Sequence, residues 1–273
     1  NKKLVVLAAL SFSFLGAQAK VKLPHILGNN MILQQNAEAN LWGWDKPGTE
    51  VNVTASWSSQ KWTAKTDKDG KWQVKVQTPK ASYTPLSITF DDGEPVTLSN
   101  ILAGEVWVCA GQSNMEMPVK GFGNCPVEGY NKAVVEANQY KGIHYVKIPS
   151  VMSNKPLDDA SCEWKEISPE TVGEASATGY FFAQVVNKAL DIPVGLVMAN
   201  KGGTRVESWL DRDYLKSKVV VGDLGLCRAD GGDEGGLAHI GEADQTHVCD
   251  QLQFQGHLQI LAGHTGLCKL GDL

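Results

Sequence analysis

From Val21 to Leu102 apolar and polar residues alternate in short runs separated by turns. Val51, Val53, Ala55 and Trp57 share one phase of a period of two, and Trp72, Val74 and Val76 repeat it. That is the pattern of strands with one buried face. Asp67-Lys68-Asp69-Gly70 reads as a hairpin-type turn between them, and Asp91-Asp92-Gly93-Glu94 as a turn between strands at 87–90 and 96–101. Closely spaced short strands with no helical stretch predict a small antiparallel β-sandwich domain over residues 20–102. Five of the eight tryptophans (Trp42, Trp44, Trp57, Trp62, Trp72) fall in it. Core and cross-strand packing is the first use for them, and an aromatic platform for sugar is the second.

After Leu102 the period lengthens. Residues 105–109 form a short apolar strand, and 131–139 read as a helix with Ala133, Val134 and Ala137 on one side. Strand 143–148 follows, then a longer helix over 174–190 that ends at Ile192-Pro193. Residues 194–199 are continuously apolar, as a strand buried on both faces should be. Alternating strands and helices predict a parallel α/β sheet over residues 103–216. In open sheets of this kind ligands bind at the carboxyl ends of the strands. The apolar strand at 105–109 leads to Gly111-Gln112-Ser113, which sets a serine at such an end. That serine either caps the next turn or acts as a nucleophile, and as a nucleophile it needs a base.

Composition adds an address and a discontinuity. Hydrophobic residues make up 42% and charged residues 20%, which excludes a wholly disordered chain. The net charge of −5 gives no basic stripe for nucleic acid, and no later apolar run is long enough to predict a membrane span. Lys2-Lys3, the apolar run 4–15 and Ala17-Gln18-Ala19 have the order of a secretory signal peptide over residues 1–19. A mature chain starting at Lys20 and a secreted or periplasmic location follow, in a compartment where disulfides persist. Cys109, inside an apolar strand, reads as a buried thiol, and Cys125 with Cys162 as the candidate pair. Residues 217–273 differ from the rest: they hold 3 basic and 8 acidic residues, 11 of the 28 glycines and 4 of the 6 histidines, and no Trp, Tyr, Pro, Asn or Met. They read as a disordered or frame-shifted gene end, with a genuine acidic tail as the alternative. The spacing of His239, His247, His257 and His264 fits no metal-ligand motif.

Gly111-Gln112-Ser113-Asn114-Met115-Glu116-Met117-Pro118 lacks the second glycine of the G-x-S-x-G elbow. It resembles instead the nucleophile block of the sialate O-acetylesterase family, secreted carbohydrate esterases of the SGNH-hydrolase type. Residues 195–204, GLVMANKGGT, with Glu207-Ser208-Trp209 after them, resemble that family's strand, oxyanion loop and helix start. The lead-in 23–35, LPHILGNNMILQQ, is similar to the β-domain of its bacterial members. The resemblance covers residues 20–216. It implies an SGNH-like α/β sheet, incomplete here, behind the β-sandwich. It also implies hydrolysis of O-acetyl groups on sialic acid or another acetylated glycan, with no cofactor and no metal.

Residue by residue, the resemblance makes Ser113 the nucleophile and the backbone N–H of Gly203 an oxyanion donor, with the Ser113 N–H beside it. Asn114 and Trp209 become candidates for substrate contact, although Trp209 equally suits helix packing. The family's later blocks, a Gln-Gly-Glu and a final Asp-x-x-His that carries the base, are not both present. No Gln-Gly-Glu occurs, and the one Asp-x-x-His is Asp244-Gln245-Thr246-His247 in the atypical tail. The base is therefore unassigned, with Asp244 and His247 the candidates present. A truncated, inactive fragment, at most a sugar-binding β-module, is the competing expectation.

Overall fold

One strand carries both predicted regions. β7 (Val96–Gly111) runs unbroken for 16 residues, so the two strands expected at 96–101 and 105–109 are one, and the expected boundary at 102/103 lies inside it. The structure, a computed structural model, describes residues 20–205 apart from 152, 154 and 155, together with Trp209. The expected leader and the tail from residue 217, with Asp244 and His247, lie outside the described residues.

The first half of β7 pairs antiparallel with β6 (Ser82–Asp91) across the predicted 91–94 turn, Phe90 opposite Val96. β3 (Glu50–Ala55) and β4 (Lys61–Lys65) continue outward. β1 (Ile32–Gln34) lies parallel to Leu102–Gly104. The second half of β7 takes β10 (Val194–Asn200) in parallel, then β8 (Ile143–Lys147) in parallel and β9 (Trp164–Glu166) antiparallel at the edge. The result is an eight-stranded mixed sheet, with β2 (Glu38–Trp44) and β5 (Lys71–Gln77) as a separate antiparallel pair. No described helix is long and apolar enough to cross a membrane.

The Asp67–Gly70 turn forms, with the Lys71 N–H donating to Asp67 Oδ1 at 2.8 Å. It closes no hairpin, however, because β4 pairs with β3 and β5 with β2. Trp62 on β4 and Trp72 on β5 are both buried in one cluster. Handing the chain to the other sheet buries both apolar faces, which edge pairing of β4 with β5 would not do.

The parallel strands are covered on both sides, as the apolar run at 194–199 predicts. Val194, Leu196 and Met198 face a cluster with Tyr145 and Tyr180, while Val197 and Ala199 face a cluster that extends to Val53 and Phe90. The helix expected at 131–139 is α1 plus a tight turn in practice: a helix at Tyr130–Glu136 and a 3₁₀ turn at Ala137–Tyr140. The helix expected at 174–190 begins later, at Ala177–Leu190, because the Ser176 hydroxyl accepts the Gly179 N–H at 3.2 Å and caps it there. Gly179 lets this helix lie close to β7, since a Cβ there would come 2.9 Å from Cys109 Sγ. Cys109 is the buried thiol expected, pushed up to about 12 by burial. The pairing of Cys125 with Cys162 is not observed: both are free. Cys125 sits exposed in a turn closed on Phe122, whereas Cys162 is half-buried against the hydrophobic cluster that includes Trp164, so the two thiols have different surroundings.

Candidate functional site

The ends of β7 and β10 lie side by side, Asn200 opposite Gly111. Gly111 has φ +140°, a backbone that side chains avoid, and this lets the chain turn sharply out of the strand. A one-turn helix, Ser113–Glu116, follows; its Met115 and Glu116 N–H groups donate to Gln112 O at 3.0 and 2.9 Å. Ser113 opens this turn and is exposed. The long helix Ala177–Leu190 supports it from behind, with Thr178 Oγ1 donating to Asn114 O at 3.0 Å and the Ala177 N–H to Met117 O at 2.8 Å.

The loop after β10 folds back on the same turn. The Lys201 N–H donates to Gly111 O at 2.9 Å. Asn200, nearly buried, donates its amide to Met115 O at 3.2 Å. The Gly202 N–H donates to Glu116 Oε2 at 2.7 Å, and a Cβ on Gly202 would stand 3.6 Å from Ser113 Cα. Gly203 has φ +78° with open space where a side chain would be, and its N–H takes no partner among the described residues. An exposed hydroxyl beside a glycine pair with an unengaged N–H suits attack on a carbonyl and reception of the resulting oxyanion.

Ser113 and Asn114 thus share one turn, and Gly203 follows the glycine that packs against it. Trp209 is tethered to that loop: its indole N–H donates to Thr204 Oγ1 at 2.8 Å, and Thr204 donates to Lys201 O at 2.9 Å. The indole N–H of Trp209 is thus engaged within the loop. Asp244 and His247 lie outside the described residues. His25 and His144 are the described histidines, and neither bonds to the Ser113 turn. His25 faces Asp159 Oδ2 at 2.7 Å. His144 is buried between Asn30 O at 2.6 Å and Lys141 O at 3.1 Å, and burial holds its pKa below the usual range. Among the described residues no group of three His, Cys, Asp or Glu could hold a metal. A cleft of about 430 Å³ near Lys141, Glu163 and Ser168 lies at the start of β8, the end of the sheet away from Ser113.

Sequence reasoning missed Glu116 and Asn200. Both had a signal, since Glu116 follows the serine by one helical turn and Asn200 is the polar residue that ends an apolar strand. Trp107 and Asn200 also each keep a buried side-chain polar atom with no partner among the described residues.

A model of the carbohydrate esterase family described as sialic acid-specific acetylesterase matches residues 103–265, a range that runs past the compositional break at 217. The sialate O-acetylesterases of Homo sapiens and Mus musculus are each 27% identical over 212 residues, 70% of this chain. The chain spans about two fifths of the length of these curated relatives, 39% and 38%. A carbohydrate acetylesterase from Xanthomonas citri has a similar structure, with a TM-score of 0.66 and 29% identity over 73% of this chain and 44% of that one.

Proposed function

Because this chain belongs to the sialic acid-specific acetylesterase family of carbohydrate esterases, we propose that Ser113 attacks the acetyl carbonyl of an O-acetylated glycan, sialic acid first. The observation that carries this reading is the Gly202–Gly203 loop packed against an exposed Ser113 at the end of β7. Attack would place negative charge on the carbonyl oxygen. The N–H groups of Gly203 and Ser113 would receive it, each such donor being worth roughly 3 kcal/mol. Asn114 and the ring of Trp209 would contact the sugar. Collapse of this adduct breaks the ester C–O bond, releases the sugar as its free hydroxyl and leaves Ser113 acetylated; water then hydrolyses the acetyl-serine to acetate and restores the serine hydroxyl, and the reaction draws on no cofactor. The proton from Ser113 goes to a base outside the described residues, so a chain that lacks one retains only the slow turnover that binding and the oxyanion hole support.

Where its base completes the site, Ser113 should label with a fluorophosphonate, and Ser113→Ala should abolish both labelling and p-nitrophenyl acetate turnover. Turnover retained in pure Ser113→Ala excludes the assignment. Binding of acetylated glycan without labelling of the native chain indicates a sugar-binding module in its place. A panel of O-acetylated sialic acids and acetyl-xylan separates the sugars. We further propose that residues 20–102 act as a β-sandwich module before the esterase part at 103–216, and that the protein is exported. N-terminal sequencing of secreted material should read Lys20-Val21-Lys22, and recovery of only the uncut chain in the cytosol excludes export.

A further inference from the structure

Two elements must be held in register for the chemistry proposed above: the one-turn helix that carries Ser113 and the loop 201–204. Neither is stiff by itself. The helix is four residues long with no side-chain cap. The loop turns through two adjacent glycines, one of them at φ +78° with nothing around it, and glycine has the most backbone freedom to lose.

Among the described residues, bonds at three points tie the end of β7 and its helix to the end of β10 and its loop. Lys201 N–H to Gly111 O extends the β7–β10 pairing by one step. Asn200 ties the end of β10 to Met115 O. Among the described residues only Glu116 reaches the glycine pair itself, through the bond from the Gly202 N–H at 2.7 Å. A carboxylate is an unusual group to half-bury beside a site that must accept negative charge. Glu116 forms no ion pair with a described lysine or arginine. What it does have is a short N–H···O⁻ bond, and bonds to an ionised acceptor are roughly twice as strong as neutral ones.

We propose that Glu116 is a positioning residue of the esterase site: by accepting the Gly202 N–H, its carboxylate holds the loop so that the next N–H, that of Gly203, meets the oxyanion formed at Ser113. This rests on the esterase reading of Ser113. Glu116 touches neither substrate nor the reacting atoms. Its effect is on geometry, to which oxyanion stabilisation is steep, since a displacement of about 1 Å costs on the order of a hundredfold.

The test is the second-order rate of fluorophosphonate labelling of Ser113 in the full chain, with thermal midpoint and circular dichroism measured alongside. Glu116→Ala should label about ten- to a hundredfold more slowly with little change in midpoint. Glu116→Gln keeps an acceptor oxygen and should stay within about threefold of the native rate, given the roughly twofold gap between charged and neutral bonds. Gly202→Ala approaches the same bond from the other side, because its methyl would stand 2.6 Å from Glu116 Oε2 and displace the carboxylate. It should match Glu116→Ala. A folded Glu116→Ala that labels at the native rate overturns the proposal, and so does Glu116→Gln as slow as Glu116→Ala. If Glu116→Ala does not fold, native-rate labelling of Gly202→Ala overturns it. Failure of the native chain itself to label at Ser113 overturns the esterase reading, and this inference with it.

Discussion

His144 shows how much one proton decides. Both of its ring nitrogens face backbone carbonyls, Asn30 O and Lys141 O. A neutral imidazole has a single N–H and can satisfy one of them; an imidazolium could satisfy both but must be charged in the interior. Desolvation wins, against the two carbonyls and against Glu166, which stands opposite His144 in the β8–β9 pairing. Its folded pKa lies below that of the unfolded chain, so below about pH 6.5 the unfolded state binds the extra proton. Stability from this site is therefore present at neutral pH and declines as pH falls from about 6.5 towards the folded value, by at most about 1.4 kcal/mol per pH unit. Urea unfolding at pH 7.5, 6.0 and 5.0 should show that slope, and His144→Gln should flatten it. Nothing in the sequence around Gly142-Ile143-His144 signals this, because Asn30 is 114 residues away.

At the level of elements, close approach is what local pattern does not record. The apolar run at 194–199 and the helix that precedes it were legible, because a buried strand and an amphipathic helix are written in adjacent residues. How near the helix Ala177–Leu190 comes to β7 is set by Gly179 against Cys109, two residues that sequence reasoning had no cause to connect. Gly179→Ala would set a methyl 2.9 Å from Cys109 Sγ. Overpacking of this kind should cost about 1–3 kcal/mol, measured by denaturant unfolding. Because Sγ is the nearest obstacle, Cys109→Ala in the same chain should restore part of the loss, a coupling that a double-mutant cycle reads directly. The helix start was misplaced by three residues for a related reason. Glu174 looks like a first-turn residue, yet Val172–Glu174 closes a 3₁₀ turn and the cap falls to Ser176.

Across the whole molecule, the N-terminal segment joins the two regions that the change of period after Leu102 divides. Ile26 O accepts the Trp164 indole N–H at 2.8 Å, and Asn30 O receives His144. The amides of Gln34 and Gln35 both donate to the Glu105 carboxylate, at 3.1 and 2.9 Å, just where β7 passes from β6 to β10. Glu105→Ala strips both amides of their acceptor with Gln34 almost fully buried, and should cost about 1–3 kcal/mol in urea unfolding; Glu105→Gln, which keeps one acceptor oxygen, should cost less. The sequence by itself determined the strand and helix runs, the 91–94 hairpin, the buried Cys109 and the string from Gly111 to Pro118 that carries the family likeness, because each depends on neighbours in the chain. It could not show that 96–101 and 105–109 are one strand, that the 67–70 turn passes between sheets, that Cys125 and Cys162 stay apart, or that Glu116 meets Gly202. Those depend on residues far apart in sequence, where which faces are buried together, and which donors then find acceptors, is settled only when the whole sheet assembles.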